Sequence, residues 1–338
     1  MLKRWSQTAF ERLTEAVKLK NEIEAQQLIS EVNTTELNKV DSNGNTALTL
    51  AARRGLEKVC EMLINKMSNK AINHVNNNGY TALTFAVGSG SEKICELLIN
   101  KMSDKAINHI TYDGTMVLTL AARSGLEKVC ELLINKMSDK AINHINNNGN
   151  TALTLAARSG LEQICEMLIN KMSEQAINHI TNKGNTALTL AAGNGLEKVC
   201  EMLINKMSEQ VINQINNNGE TASSLATKNG FKNICSLLKA RQEEQIDTNT
   251  FEKIAAAIII KLENDKTISV PNKNLFKGAI NKITNKIPHL TNTSDIVKIT
   301  AGIKEFETGE ITRGKLIDLN DKLNEIINGH PIDDYVTI

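Results

Sequence analysis

Cysteine and histidine recur in this chain in a fixed phase. In "VCELLINKMSDKAINHI", residues 129–145, Cys130 and His144 stand fourteen residues apart. A thiol and an imidazole can ligate zinc, or act as a nucleophile and its base. All six cysteines fall in one column with a 35-residue period: Cys60, Cys95, Cys130, Cys165, Cys200 and Cys235. His74, His109, His144 and His179 fall in another, with Gln214 in the fifth place. The spacing argues against both chemistries. Stacked helices lie about 8–10 Å apart. A disulfide needs Cα atoms within roughly 7 Å, and zinc needs four ligands at about 2.0–2.3 Å. One cysteine column and one histidine column at that pitch satisfy neither. No metal, cofactor or catalytic residue is therefore expected. Cys130, between Val129 and Leu133 on an apolar helix face, is predicted to be core filler. His144, in the loop beyond, is predicted to bond a neighbouring backbone group. Gln214 can share that role, since an amide both donates and accepts.

The period itself defines the elements that position these residues. Glycine recurs at Gly44, Gly79, Gly114, Gly149, Gly184 and Gly219, and a second glycine follows eleven residues after each, from Gly55 to Gly230. One unit, residues 146–180, reads "NNNGNTALTLAARSGLEQICEMLINKMSEQAINHI". "NG" is a tight-turn signal. "TALTLAAR" is a short helix that Gly160 ends in a left-handed conformation. "LEQICEMLINKM" is a second helix, with Leu161, Ile164, Cys165, Leu168 and Ile169 on one face. Ser173 opens a turn, and "AINHI" runs as a loop to the next tip. One helix pair cannot bury its apolar face alone, whereas stacked pairs can. Glu57 and Lys58 and their counterparts fall on a solvated outer face.

The register extends to both ends of the stack. Leu13, Ala16, Val17, Ala25, Leu28, Ile29, Leu37 and Val40 fill core columns of a polar N-terminal cap, with Thr8 and Glu11 at capping-box spacing. "TASSLATKNGFKNICSLLKARQEEQ" decays in the same way at the other end. The predicted organisation is a cap over residues 1–40, five full repeats over 41–215, a capping repeat over 216–245 and a helical C-terminal domain over 246–338.

With the turn glycine, "TALTLAA", the second glycine and "VCELL" repeating in phase, the chain resembles the ankyrin-repeat family over residues 6–242. "AIN" resembles the stretch that leads into an ankyrin hairpin. The family's usual proline after threonine is alanine here. Its usual histidine two residues on is Thr49, Thr84, Thr119, Thr154 and Thr189, and the period is 35 rather than the usual 33, with the extra residues placed between the second helix and "AIN". The resemblance implies an all-α solenoid of stacked helix pairs with tight-turn tips, followed here by a small helical bundle. It also implies binding of a protein partner through the tips and the concave face made by the first helices.

The repeats break their own pattern at a few places. Between residues 41 and 215 the aromatics are Tyr80, Phe85 and Tyr112. Tyr80 follows a turn glycine, Tyr112 sits at a tip, and Met116 and Val117 replace Thr and Ala in the third full repeat. Tyr80, Tyr112, Asp113 and Met116, with Asn77, Asn45 and Glu220 at other tips, form the expected partner-binding set. Phe85 shares the column of Leu50 and Leu120 and is expected in the core.

The net charge is +1, so no global field draws the chain to nucleic acid or membrane. The longest apolar run, "IAAAIII" at residues 254–260, is far shorter than the roughly 20 residues that span a bilayer. The N-terminus "MLKRWSQTAFERL" has no apolar segment of a secretory signal, so reduced thiols are expected. The first 270 residues lack proline, whereas Pro271, Pro288 and Pro331 follow, which marks a compositional boundary. Beyond it, helices are predicted over 251–263, 273–287, 294–308 and 313–328. Residues 266–286 carry five lysines and no acid, with no arginine to favour nucleic acid over a protein contact. Two functions follow: a non-catalytic interaction scaffold, which is favoured, or an enzymatic, membrane-binding or nucleic-acid-binding activity in the C-terminal domain with the repeats selecting its target. The Asn-, Lys- and Ile-rich idiom is similar to ankyrin proteins of AT-rich intracellular bacteria. It implies cytoplasmic residence, or delivery by a non-classical route into a host cell as an effector on a host protein. The oligomeric state is left open.

Overall fold

Every repeat starts at a glycine in the left-handed region, which only a residue without Cβ occupies freely. Gly149 has φ +70 and Gly184 φ +75. At the tip of residues 146–150, the Gly149 N–H donates to the Asn146 carbonyl at 2.8 Å. The Asn146 side chain accepts from the backbone N–H of Asn148 and Asn150 at 3.0 and 2.9 Å. That side chain closes the turn, which is why Asp, Asn or Thr holds this position in every full repeat. Thr151 then caps helix Ala152–Arg158 through a reciprocal box with Thr154, worth about 1 kcal/mol. The second helix, Glu162–Lys171, buries Ile164, Cys165, Leu168 and Ile169.

The predicted loop after this helix is instead a third, one-turn helix, Glu174–Ile177. Ser173 is its N-cap, accepting from the Ala176 N–H at 3.3 Å. The same element recurs as Asn69–Ile72, Asp104–Ile107, Asp139–Ile142 and Glu209–Ile212. The segment after each second helix is thus a helical turn rather than a loop. Its serine also receives an inter-repeat bond, with the Ser173 N–H donating to Asn143 Oδ1 at 2.8 Å and the Ser208 N–H to Asn178 Oδ1 at 2.8 Å.

The structure, a computed structural model, describes residues 7–242 and the isolated positions 256, 260, 274, 277 and 278. The four helices predicted beyond residue 250 lie outside the described residues. Compactness divides the chain into two units, residues 1–235 and 236–338. In the first, first helices pack on first helices and second on second, as Ala47–Arg54 packs on Ala82–Ser89 and Glu57–Lys66 on Glu92–Lys101. Described residues 7–242 form an all-α solenoid. Leu48, Leu83, Leu118, Leu153 and Leu188 form one buried column through it, each contributing roughly 1.5–3 kcal/mol. Lysines at the ends of second helices tie the stack further. Lys66 Nζ donates to the Ile29 carbonyl at 2.6 Å and Lys206 Nζ to the Ile169 carbonyl at 3.0 Å, placing a cation on carbonyls that the helix end leaves unpaired.

Near the N-terminus the Thr8–Glu11 box is present, and Leu13, Val17 and Leu37 are fully buried. Val40 is a correction: it is 45% exposed. Its column continues as Val75, which is half-buried, and Ile110, Ile145, Ile180 and Ile215, which are exposed. These residues lie on the arms of the tips, where the side chain points away from the helix pairs. Phe85 is a second correction. It is half-buried rather than in the core; in its column Leu120, Leu190 and Leu225 are likewise half-buried, whereas Leu50 and Leu155 are covered. Among the described residues, no helix is long and apolar enough to cross a membrane.

Candidate partner-binding face

Three rows of side chains run along the open face of the first helices. The residue after each turn glycine forms the outer row: Asn45, Tyr80, Thr115, Asn150, Asn185 and Glu220. Five residues on comes the middle row: Leu50, Phe85, Leu120, Leu155, Leu190 and Leu225. Three further on, at the helix C-termini, stand Arg53, Gly88, Arg123, Arg158, Gly193 and Lys228. The rows adjoin across one helix face. Arg158 Nη2 donates to Asn150 Oδ1 at 3.2 Å, and Lys228 pairs with Glu220 at 3.2 Å.

Between the second and fourth full repeats these rows line a trough of about 470 Å³ that includes Tyr80, Asp113, Leu120, Arg123, Leu155 and Arg158. A smaller trough adjoins it at Tyr80 and is lined by Asn45, Arg53 and Phe85. Tyr80 and Phe85 pack with ring centroids 5.4 Å apart. The Arg53 guanidinium lies over the Phe85 ring at 5.7 Å. Arginine on an aromatic face holds its charge in place without a carboxylate.

The residues expected to bind a partner fall into two groups. Tyr80 lies half-buried on the trough floor, whereas Tyr112 is 72% exposed at its tip. Asp113 lines the larger trough. The Thr111 hydroxyl donates to its carboxylate, and that bond above all holds its pKa below the usual carboxylate range. Asn77 is exposed, but its amide donates to the Ser42 carbonyl of the preceding tip at 3.1 Å. Glu220 is half-buried, with a depressed pKa caused first by the Asn216 amide and then by Lys228. Two residues are corrections. Met116 is 1% exposed, because the N-cap position points into the stack, so it offers no surface. Asn45 is buried and committed to its own tip and the next: its Nδ2 donates to Asp41 at 3.3 Å and its Oδ1 accepts from Asn76 of the following tip at 2.9 Å. The arginine row was not read from the sequence, although its signal was present. Within residues 41–215 arginine occurs only at 53, 54, 123 and 158, and three of these four share a column.

The thiol and imidazole columns take structural places. Cys130 is fully buried, and burial pushes its thiol up to about 12, with Glu127 adding to the effect. Cys95, Cys165 and Cys200 behave alike. His74, His144 and His179 place Nε2 2.9, 2.8 and 3.0 Å from the carbonyls of Gly44, Gly114 and Gly149. A carbonyl only accepts, so Nε2 carries the proton. Gln214 does not reproduce the bond, since its amide donates to the Ile215 carbonyl. Among the described residues, no cluster of three or more His, Cys, Asp or Glu is placed to hold a metal ion.

Sequence comparison agrees with this architecture. The profile for ankyrin repeats matches residues 13–109, 103–179 and 172–251, together more than half of the chain. An ankyrin repeat protein of Rickettsia bellii (strain RML369-C) is 53% identical over 55 residues, which is 16% of this chain and 10% of that protein. One from Rickettsia felis (strain ATCC VR-1525 / URRWXCal2) is 51% identical over 60 residues, 18% of this chain and 19% of its own length. The chain thus matches a fifth or less of each of these relatives.

Proposed function

The chain belongs to the ankyrin-repeat family, and on that premise we propose that it acts as a non-catalytic scaffold that grips a protein partner along the first-helix face. The observation that carries this reading is the trough. Tyr80, Phe85 and Leu120 present apolar area flanked by amides and arginines, the composition of a protein-binding patch. The strongest nucleophiles of the repeats support binding over catalysis, since Cys95, Cys130, Cys165 and Cys200 are buried with raised pKa values and a buried thiol is inert. Tyr112 and Asp113 extend the contact to the tip. The relatives in Rickettsia support a bacterial setting, and the reading includes a host protein as partner and residues 246–338 as a second contact.

Site-specific photo-crosslinking in the full chain tests this. A photoreactive residue replacing Phe85 or Leu120 is expected to trap a discrete protein partner from bacterial or host extract. The same residue at Lys58, on the second helix, is expected to trap none. Trapping from Lys58 but not from the trough positions would refute the reading.

A further inference from the structure

We propose that the trough takes an extended acidic peptide segment whose carboxylates meet Arg53, Arg123 and Arg158 and whose apolar residue meets Phe85. The inference rests on the scaffold reading and names the partner's chemistry. Arg53, Arg123 and Arg158 are exposed or at the surface of the open face. Among the described residues, none of the three pairs with a carboxylate. Lys228 at the end of the same row is already neutralised by Glu220 at 3.2 Å, so the unpaired charge is confined to the first four full repeats. The only acid lining the two troughs is Asp113, whose carboxylate is occupied by Thr111 and the Thr115 N–H. The row is therefore a line of guanidinium groups awaiting anions, and guanidinium matches carboxylate geometry in pairs of hydrogen bonds.

The spacing defines the peptide. Neighbouring first helices lie about 8–10 Å apart. A polyproline-type strand advances about 3.1 Å per residue with three residues per turn, so every third side chain returns to one face about 9.3 Å further on. Arg123 and Arg158 belong to successive repeats and match acids at i and i+3. Arg53 stands two repeats before Arg123, which places a third acid six residues away from the nearer of these. In the repeat between them Gly88 leaves the basic row empty, and Phe85 fills the middle row beside Tyr80. The matching peptide residue is apolar. The pattern is acid, apolar, acid, acid at intervals of about three residues.

Fluorescence anisotropy with the full chain tests it. The probes are two labelled peptides with Glu, Phe, Glu and Glu every third residue in a Ser-Pro background, one in each chain direction. One direction is expected to bind at least tenfold more tightly than a scrambled peptide of the same composition. It is expected to weaken as salt rises. The double variant Arg123→Ala/Arg158→Ala, with its melting transition checked, is expected to lose tenfold or more, and Lys58→Ala nothing. Equal binding of the scramble, no loss in the double variant, or tighter binding of a single-stranded oligodeoxythymidylate would overturn the proposal. If the peptides fail while crosslinks from Phe85 persist, this inference falls and the scaffold reading stands. If both fail, both are wrong.

Discussion

His144 Nε2 lies 2.8 Å from the carbonyl oxygen of Gly114, thirty residues earlier in the chain. The bond fastens the end of one repeat to the tip that begins it, and His74 and His179 repeat it. His109 does not: its Nε2 is buried without a hydrogen-bond partner. A made bond of this kind contributes about 1 kcal/mol, and an unmade one costs desolvation. His144→Ala is expected to lower stability by about 1 kcal/mol, and His109→Ala by less. Urea unfolding of the two variants checks this, and equal losses would contradict it.

Gly184 and Gly160 share a positive φ but differ in surroundings. A Cβ at Gly184 would stand 2.7 Å from Asn217 Oδ1 and 2.9 Å from the backbone nitrogen of Asn217, whereas at Gly160 it meets nothing. Gly160→Ala is expected to cost about 1–2 kcal/mol, the left-handed strain alone. Gly184→Ala is expected to cost clearly more, because the next tip must move. Paired thermal melts decide it.

Five of the six cysteines are buried, and Cys235 is half-buried. Native protein is expected to release one thiol equivalent rapidly to a disulfide reagent at pH 8, and the remaining five only on unfolding. Folding raises the pKa of Cys130 from 9.0 to about 12, so the native state holds the proton more tightly than the unfolded chain. The resulting stability is whole below pH 9 and is lost progressively as pH rises toward 12. Denaturant midpoints measured at pH 8 and pH 10.5 are expected to fall, and a flat profile would contradict the assignment.

Tyr112 replaces an asparagine that links tips elsewhere. The Asn77, Asn182 and Asn217 amides donate to the carbonyls of Ser42, Asn147 and Asn182. Tyr112→Asn is expected to restore that link toward Asn77 and raise stability by about 0.5–1 kcal/mol. It is expected to weaken partner capture at the same time, as when a surface residue serves binding at the expense of stability. A gain in stability with capture unchanged would remove Tyr112 from the partner-binding face.

Much of this architecture was legible before any coordinates, for a reason specific to repeats. Six copies of one pattern average out local ambiguity, so the turn glycines, the helix pairs and the Cys130 column could be placed by phase alone, whereas the Thr caps of the first helices came from the structure. The third helix was not legible. "SEQAI" is a single turn, too short to show periodicity, and it forms because Ser173 caps it and Asn143 anchors it from the preceding repeat. The partner face was read unevenly. The tyrosines stood out as departures from the pattern, but Met116 was placed at the surface on the same ground, and a departure says nothing of direction.

By itself, the sequence determined the period, the helix pairs and the burial of the thiols. These follow from local propensity and from the requirement that every copy bury the same face. Only the tertiary structure decided which way the remaining side chains point. Phe85 and Leu48 are both apolar residues of first helices, yet Leu48 enters the stack and Phe85 lines the trough under Arg53. Val40 and Leu37 lie three residues apart, yet one is exposed and the other buried. The difference lies in the neighbouring repeat, which covers one face of each helix and leaves the other open, and no single repeat contains that information.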